Sequence, residues 1–138
     1  MNRRNAIRLG FTAVAIGLAF PRASLAGTSA LNSPLAGGLF YTKKAPGRWA
    51  GKEGGHAPLI ERSGSTIEVT TGHPMNGYEH YIVKHIILDE QYDFVSETMF
   101  NPETDSPVSQ HDIGGLSRTV YALSVCNLHD TWLSTLTL

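Results

Sequence analysis

Three features of the sequence predict an all-β fold, an immunoglobulin-like β-sandwich of about seven strands in a single domain. Short runs rich in Val, Ile, Tyr, Phe and Thr recur through the chain, and clusters of Gly, Pro, Asn and Asp separate them. No window sustains the apolar period of a helix, and no internal repeat is visible. At 138 residues the chain has the length of one domain.

The first residues read as a segment for removal. Arg3, Arg4 and Arg8 precede an apolar run from Leu9 to Phe20, and Ser24-Leu25-Ala26 supplies small residues before Gly27. The paired arginines make residues 1–26 resemble a twin-arginine export signal, and the apolar run is shorter than the ~20 residues a membrane span needs. A periplasmic or otherwise extracytoplasmic location is therefore expected, with no membrane association once the signal is gone. Its removal would take four arginines and no acid, leaving 7 basic against 12 acidic residues and a formal charge of −5. Nucleic acid is excluded as a partner, because phosphate binding rests on a basic surface.

Residues 27–38 are rich in Ser, Gly, Pro and Ala and read as a linker or arm; the domain proper is expected over 39–138. Leu39-Phe40-Tyr41 is apolar, and Ala45-Pro46-Gly47-Arg48-Trp49 is a turn followed by a large anchor, a core or interface tryptophan. Gly51 to His56 reads as a flexible loop whose glycines allow close backbone approach. Pro58 to Arg62 and Ser65 to Thr71 form a hairpin around Ser63-Gly64, with Ile67 and Val69 on the buried face. His80 to Leu88 is the most strand-like segment, Asp89 to Asp93 is a polar turn, and Phe94 to Phe100 is a further strand. Asn101 to Gln110, with Pro102 and Pro107 among acids and serines, reads as a loop. Gly114-Gly115 precedes the closing pair of strands, Thr119 to Val125 and Thr131 to Leu138.

Between those last two strands stands Cys126-Asn127-Leu128-His129. A tight turn there puts the chain's single thiol and an imidazole within reach of one metal ion. A lone cysteine has no intramolecular disulfide partner, so it is a buried filler or a chemical group. The histidine inventory favours the second. His56, His73 and His80 lie at the edges of the predicted strands, giving with His129 four imidazoles and one thiolate. That is more than the four ligands that close a structural zinc, and five donors leave a position free on an octahedral ion, which suits redox iron. His85 falls mid-strand on the opposite face from His80 and reads as a packed or hydrogen-bonded side chain. His111, in an acidic, proline-bounded stretch, is expected in solvent. Tyr78 and Tyr81 flank the site as shielding or packing residues, and Asn127 is expected to fix the turn or to hydrogen-bond the sulfur.

Two other readings fit parts of this pattern. An exported blue-copper electron carrier is also a small sandwich with Cys and His in a C-terminal loop, but it needs one upstream histidine and a methionine after the second, and no methionine follows Met99. A non-catalytic sandwich that binds a partner through its strands is the third.

The His56-Ala57-Pro58 turn, the segment His73-Pro74-Met75 to His80-Tyr81-Ile82 and the terminal Cys126-Asn127-Leu128-His129 together resemble superoxide reductase, the iron domain of neelaredoxin and desulfoferrodoxin. The resemblance runs from about Leu39 to Leu138 and includes Ala45 to Trp49. It implies a mononuclear non-haem iron, cycling between Fe2+ and Fe3+, with His56, His73, His80 and His129 in the equatorial plane and Cys126 axial. It also implies the one-electron reduction of superoxide to hydrogen peroxide. A thiolate opposite the open position would donate electron density to the metal, and the net positive charge of such a centre would attract the anion. The family's usual spacing between its second and third histidines is one residue shorter than His73 to His80, and Gly77 is expected to absorb the extra residue in a bulged turn. The family's frequent Glu-Lys pair directly before the first histidine is replaced by Gly54-Gly55, so Lys52 and Glu53 are the candidates for steering superoxide and capping the ferric ion. A second iron centre of rubredoxin type needs four thiolates, so an external donor protein, such as a rubredoxin-like carrier, must supply the electron. Relatives are often homo-oligomers, and exposed strand edges would allow that here.

Overall fold

The computed structural model describes residues 29–138, and the expected leader, 1–26, lies outside the described residues. Seven strands follow in order: β1 (Leu59–Ser63), β2 (Thr66–Thr70), β3 (Ile82–Leu88), β4 (Phe94–Met99), β5 (Val108–Asp112), β6 (Thr119–Cys126) and β7 (Asp130–Thr137). They form two antiparallel sheets, β1-β2-β5 and β4-β3-β6-β7. This is immunoglobulin-like wiring in which the fourth strand has joined the second sheet rather than the first. The expected sandwich of about seven strands is the fold observed.

Ile67 and Val69 of β2, Ile87 of β3, Val120 and Ala122 of β6, and Ile113 meet between the sheets. Full burial of each large aliphatic side chain contributes roughly 1.5–3 kcal/mol. The alternation along β2 is the one anticipated, with Glu68 and Thr70 on the wetter face. In β3 both Ile82 and His85 face inward although they are an odd number of residues apart. A register shift between Ile82 and Lys84 against β6 adds the extra residue that reconciles them.

One expected loop ends in a strand. Val108 to Gln110 belongs to β5, which pairs with β2 across Val69↔Ser109 and Ile67↔His111. Its inward positions are Ser109 and His111, so no apolar alternation announced it. His111, expected in solvent, is only 4% exposed. The segment Gly51–His56, expected as a flexible loop, carries a single helical turn, α1 (Glu53–His56), in which Ala57 N–H donates to Glu53 O at 3.0 Å.

The antiparallel registers Leu59↔Thr70, Ile82↔Cys126 and Cys126↔Asp130 bring three connections to one end of the sandwich. They are α1 before β1, the β2–β3 crossover, and the β6–β7 hairpin. At this end Tyr41 extends the second sheet, its N–H donating to Thr131 O at 2.9 Å and its carbonyl accepting from Leu133 N–H at 2.8 Å.

Candidate metal centre

Each connection carries one or two of the anticipated ligands. α1 ends on His56, which is 4% exposed. The imidazole Nδ1 lies 2.8 Å from Lys52 O, and a carbonyl only accepts, so Nδ1 holds the proton and Nε2 presents a bare lone pair. This turn lies against the next connection, where a Cβ on Gly72 would stand 3.4 Å from Gly54 O, whereas a Cβ on Gly54 would meet nothing within 4 Å and one on Gly55 only an ordinary 3.7 Å contact with Gly72 O. The close backbone approach expected at the glycines of the 51–56 loop is therefore not what they provide.

The β2–β3 crossover supplies His73 and His80. His73 Nδ1 donates to Pro74 O at 2.6 Å, which again leaves Nε2 bare. Asn76 N–H donates to His80 O at 3.2 Å, closing a loop whose 3-10 turn, Gly77–Glu79, begins on Gly77 at φ +57°. Gly77 thus turns the chain in the left-handed region where a Cβ is penalised, and His80 turns inward.

The β6–β7 hairpin supplies Cys126 and His129, with Asp130 at φ +61° completing the turn. Asn127 is its fastener. Its Oδ1 accepts from Tyr81 N–H at 3.0 Å, and its Nδ2 donates to Tyr78 O at 3.3 Å and Glu79 O at 3.0 Å. The Asn127 backbone N–H donates to Tyr81 O at 3.2 Å. The turn-fixing role is therefore present, and the amide meets the sulfur through its oxygen, Cys126 Sγ donating to Asn127 Oδ1 at 4.0 Å, while the Asn127 N–H groups are spent on these carbonyls.

The five ligand atoms of His56, His73, His80, Cys126 and His129 all lie within 4.8 Å of one another. His56 Nε2 and His129 Nδ1 are 3.1 Å apart, His129 Nδ1 and His80 Nε2 3.0 Å, and His80 Nε2 and His73 Nε2 3.0 Å. Adjacent ligands of an ion with metal–nitrogen bonds of ~2.1 Å are separated by ~3.0 Å when they meet at right angles. Cys126 Sγ lies 3.7 Å from His129 Nδ1. Two of these nitrogens, His56 Nε2 and His73 Nε2, carry no hydrogen and present bare lone pairs to the cluster. Burial, opposed by the Lys52 hydrogen bond and reinforced by the neighbouring imidazoles, lowers the His56 pKa to about 4. Burial is also the leading cause holding His73 and His129 below the ordinary histidine range. The donor set is four imidazoles and one cysteine sulfur, and it fits one metal ion.

The surroundings are aromatic. Trp49 meets His129 edge-on, with ring centroids 4.7 Å apart, and its Nε1 donates to Asp130 Oδ2 at 2.9 Å. Arg48 Nη2 also donates to that oxygen, and its guanidinium lies over the Trp49 ring. Trp132, fully buried, donates Nε1 to His129 O at 2.9 Å and lies beneath the His56 ring. Trp49 is therefore part of the site's wall, and Asp130, absent from the sequence reading, anchors it. Its position directly after His129 was the available signal. Tyr78 is largely exposed and meets Tyr81 edge-on.

Lys52 and Glu53 stand at the rim. The Lys52 charge is felt at His129, where it helps depress the imidazole pKa. Glu53 Oε1 accepts from Gly51 N–H at 3.1 Å; this bond and one to its own backbone N–H lower its pKa, so it is an anion at neutral pH. His85 lies outside the cluster, fully buried and hydrogen-bonded, as anticipated.

Several solved structures are similar. A variant of the superoxide reductase (neelaredoxin) from Ignicoccus hospitalis aligns with TM-score 0.63 at 23% identity, covering 72% of this chain and 93% of that one. A hypothetical protein from Pyrococcus horikoshii aligns with TM-score 0.52 at 30% identity, covering 64% and 92%. A variant of the superoxide reductase (neelaredoxin) from Archaeoglobus fulgidus in the reduced form aligns with TM-score 0.53 at 25% identity, covering 63% and 90%. No curated protein sequence matches significantly. The sequence model of desulfoferrodoxin matches residues 48–135, which hold every anticipated ligand. That match spans more than half of the chain, and the chain belongs to the desulfoferrodoxin family.

Proposed function

We propose that this chain is a superoxide reductase, with His56, His73, His80, His129 and Cys126 holding a mononuclear non-haem iron. The observation that carries the reading is the set of imidazole nitrogens spaced 3.0–3.1 Å apart with the Cys126 sulfur beside them. Iron bound there would supply one electron to superoxide by cycling between its ferrous and ferric states. Five protein donors leave one octahedral position for the substrate, and four imidazoles where a copper carrier needs two disfavour that alternative.

The chain's own residues act on the ligands and on the anion. Lys52 O and Pro74 O hold the Nδ1 protons of His56 and His73 and so keep each Nε2 directed inward. Lys52, exposed at the rim and electrostatically coupled to His129, draws superoxide toward the site. Glu53, whose Oε1 accepts from Gly51 N–H, is the candidate for capping the ferric ion. The two protons that complete hydrogen peroxide come from solvent. An external rubredoxin-like protein returns the electron, and the leader's arginines and apolar run support export. The sheet edges open to self-association into a homo-oligomer include β1, β5 and β4.

The test is stoichiometric. Reduced, iron-loaded protein mixed with pulse-generated superoxide should yield one peroxide and one ferric centre per superoxide consumed, with no oxygen evolved. Oxygen evolution would assign dismutation instead, and unreacted superoxide would overturn the proposal.

A further inference from the structure

A line of six polar side chains crosses the interior of the sandwich. Ser124 Oγ lies 2.8 Å from Thr71 Oγ1, Thr71 Oγ1 lies 2.8 Å from His85 Nε2, and His85 Nδ1 lies 2.7 Å from Ser109 Oγ. Ser109 Oγ lies 2.8 Å from His111 Nε2, and His111 Nδ1 lies 2.8 Å from Ser96 Oγ. Ser124, His85 and Ser96 belong to the four-stranded sheet, Ser109 and His111 to the three-stranded one, and Thr71 follows β2 directly. The line therefore passes repeatedly from sheet to sheet, and all its members except Ser96 are buried.

Proton bookkeeping gives the line a direction. With both imidazoles neutral, each of the six groups has one hydrogen to give, and five bonds consume five of them. The spare hydrogen belongs to Ser96, the member that reaches solvent. Ser124 then donates to Thr71, Thr71 to His85 Nε2, His85 Nδ1–H to Ser109, Ser109 to His111 Nε2, and His111 Nδ1–H to Ser96. Both histidines are Nδ1–H tautomers.

The inner end stands at the stems of two metal-site residues drawn from opposite sheets. Thr71 O accepts from His73 N–H at 2.8 Å, and Ser124 precedes Cys126 by two positions on the same inward face of β6. No polar side chain among those hydrogen bonds continues to the sulfur. Phe100, edge-on to His85, packs with Ile82 and Cys126 as an apolar seal. The line of side-chain hydrogen bonds therefore ends at Ser124, short of the sulfur. It can act mechanically: apolar packing between sheets tolerates small slips, whereas directional bonds of fixed length select one placement.

We propose that the Ser124–Thr71–His85–Ser109–His111–Ser96 line is a positioning device that sets how far the His73 stem stands from the Cys126 stem, and with it the sulfur-to-metal geometry. The inference rests on the metal-centre reading above. It assigns Thr71 and Ser124 as positioning residues, neither of which touches the metal.

The test compares iron-loaded wild-type protein with Thr71→Val, Thr71→Ser and Ser124→Ala. The readouts are the thiolate-to-ferric charge-transfer band and the rate of iron release to a chelator. Thr71→Val and Ser124→Ala should shift the band and speed release by about tenfold or more, the scale seen when partners behind metal ligands are removed. Thr71→Ser, which keeps the hydroxyl, should restore both. A folded Thr71→Val with wild-type band and release rate, or a Thr71→Ser as perturbed as the valine variant, would overturn the proposal. If Thr71→Val does not fold, Ser124→Ala decides by the same criteria. Absence of the band from wild-type protein would instead remove the thiolate–iron reading on which the inference stands.

Discussion

Asn127→Ala isolates the fastener between two ligand-bearing loops without touching a ligand. The side chain makes three hydrogen bonds to the 78–81 segment, at 3.0, 3.3 and 3.0 Å. Each has a net value of about 0.5–1.5 kcal/mol. The groups are solvent-facing, so water replaces part of each bond, and the backbone bond from Asn127 N–H to Tyr81 O survives the substitution. A loss of about 1–2 kcal/mol follows. That segment exists to turn His80 inward, so the loss should appear mainly in metal affinity, as a weakening of roughly 5–30-fold. Competition with a chromophoric chelator measures this, and a urea melt of the same samples measures the remainder. Affinity within twofold of wild type, with an unchanged melt, would refute the view that Asn127 couples the two loops.

Gly77→Ala places a Cβ at φ +57°, which costs roughly 1–2 kcal/mol, and should lower iron occupancy while leaving the strand content unchanged by circular dichroism. Burial lowers the His85 pKa to about 4, against about 6.5 when unfolded, so between those values the unfolded chain binds more protons. Stability should be complete above pH 6.5 and decline as pH falls toward 4, by roughly 3 kcal/mol for a shift of this size; a chelator-treated protein with a flat urea midpoint across that window would contradict it. Lys52→Ala should slow the bimolecular reaction with superoxide and flatten its dependence on ionic strength, and an unchanged rate at low salt would remove Lys52 from the mechanism.

The sandwich was legible where a strand has one apolar face. Ile67 and Val69 in β2, and the β-branched run of β3, announce themselves by composition. β5 did not, because the residues it turns inward are Ser109 and His111, paid for by hydrogen bonds instead of apolar contact. The same substitution of polar for apolar interior explains why His111 read as solvated. The five-residue cluster was legible because metal-binding residue types are few and the chain holds a single cysteine. What lies behind the ligands was not. That Thr71 O meets His73 N–H, or that Asp130 holds Trp49 against His129, depends on which loops the antiparallel registers bring to the same end. Only Gly77 carried such information locally, since an additional residue between two ligands demands a backbone turn that glycine makes cheaply.

X-ray absorption at the iron edge, on protein purified under reducing conditions, tests the centre most directly. One iron per chain with four nitrogen neighbours near 2.1 Å and a single sulfur scatterer that vanishes in Cys126→Ser is the expected result, the distance being about that implied by the 3.0–3.1 Å spacing of the imidazoles. An iron shell without sulfur, or a chain that retains copper or zinc in its place, would contradict it.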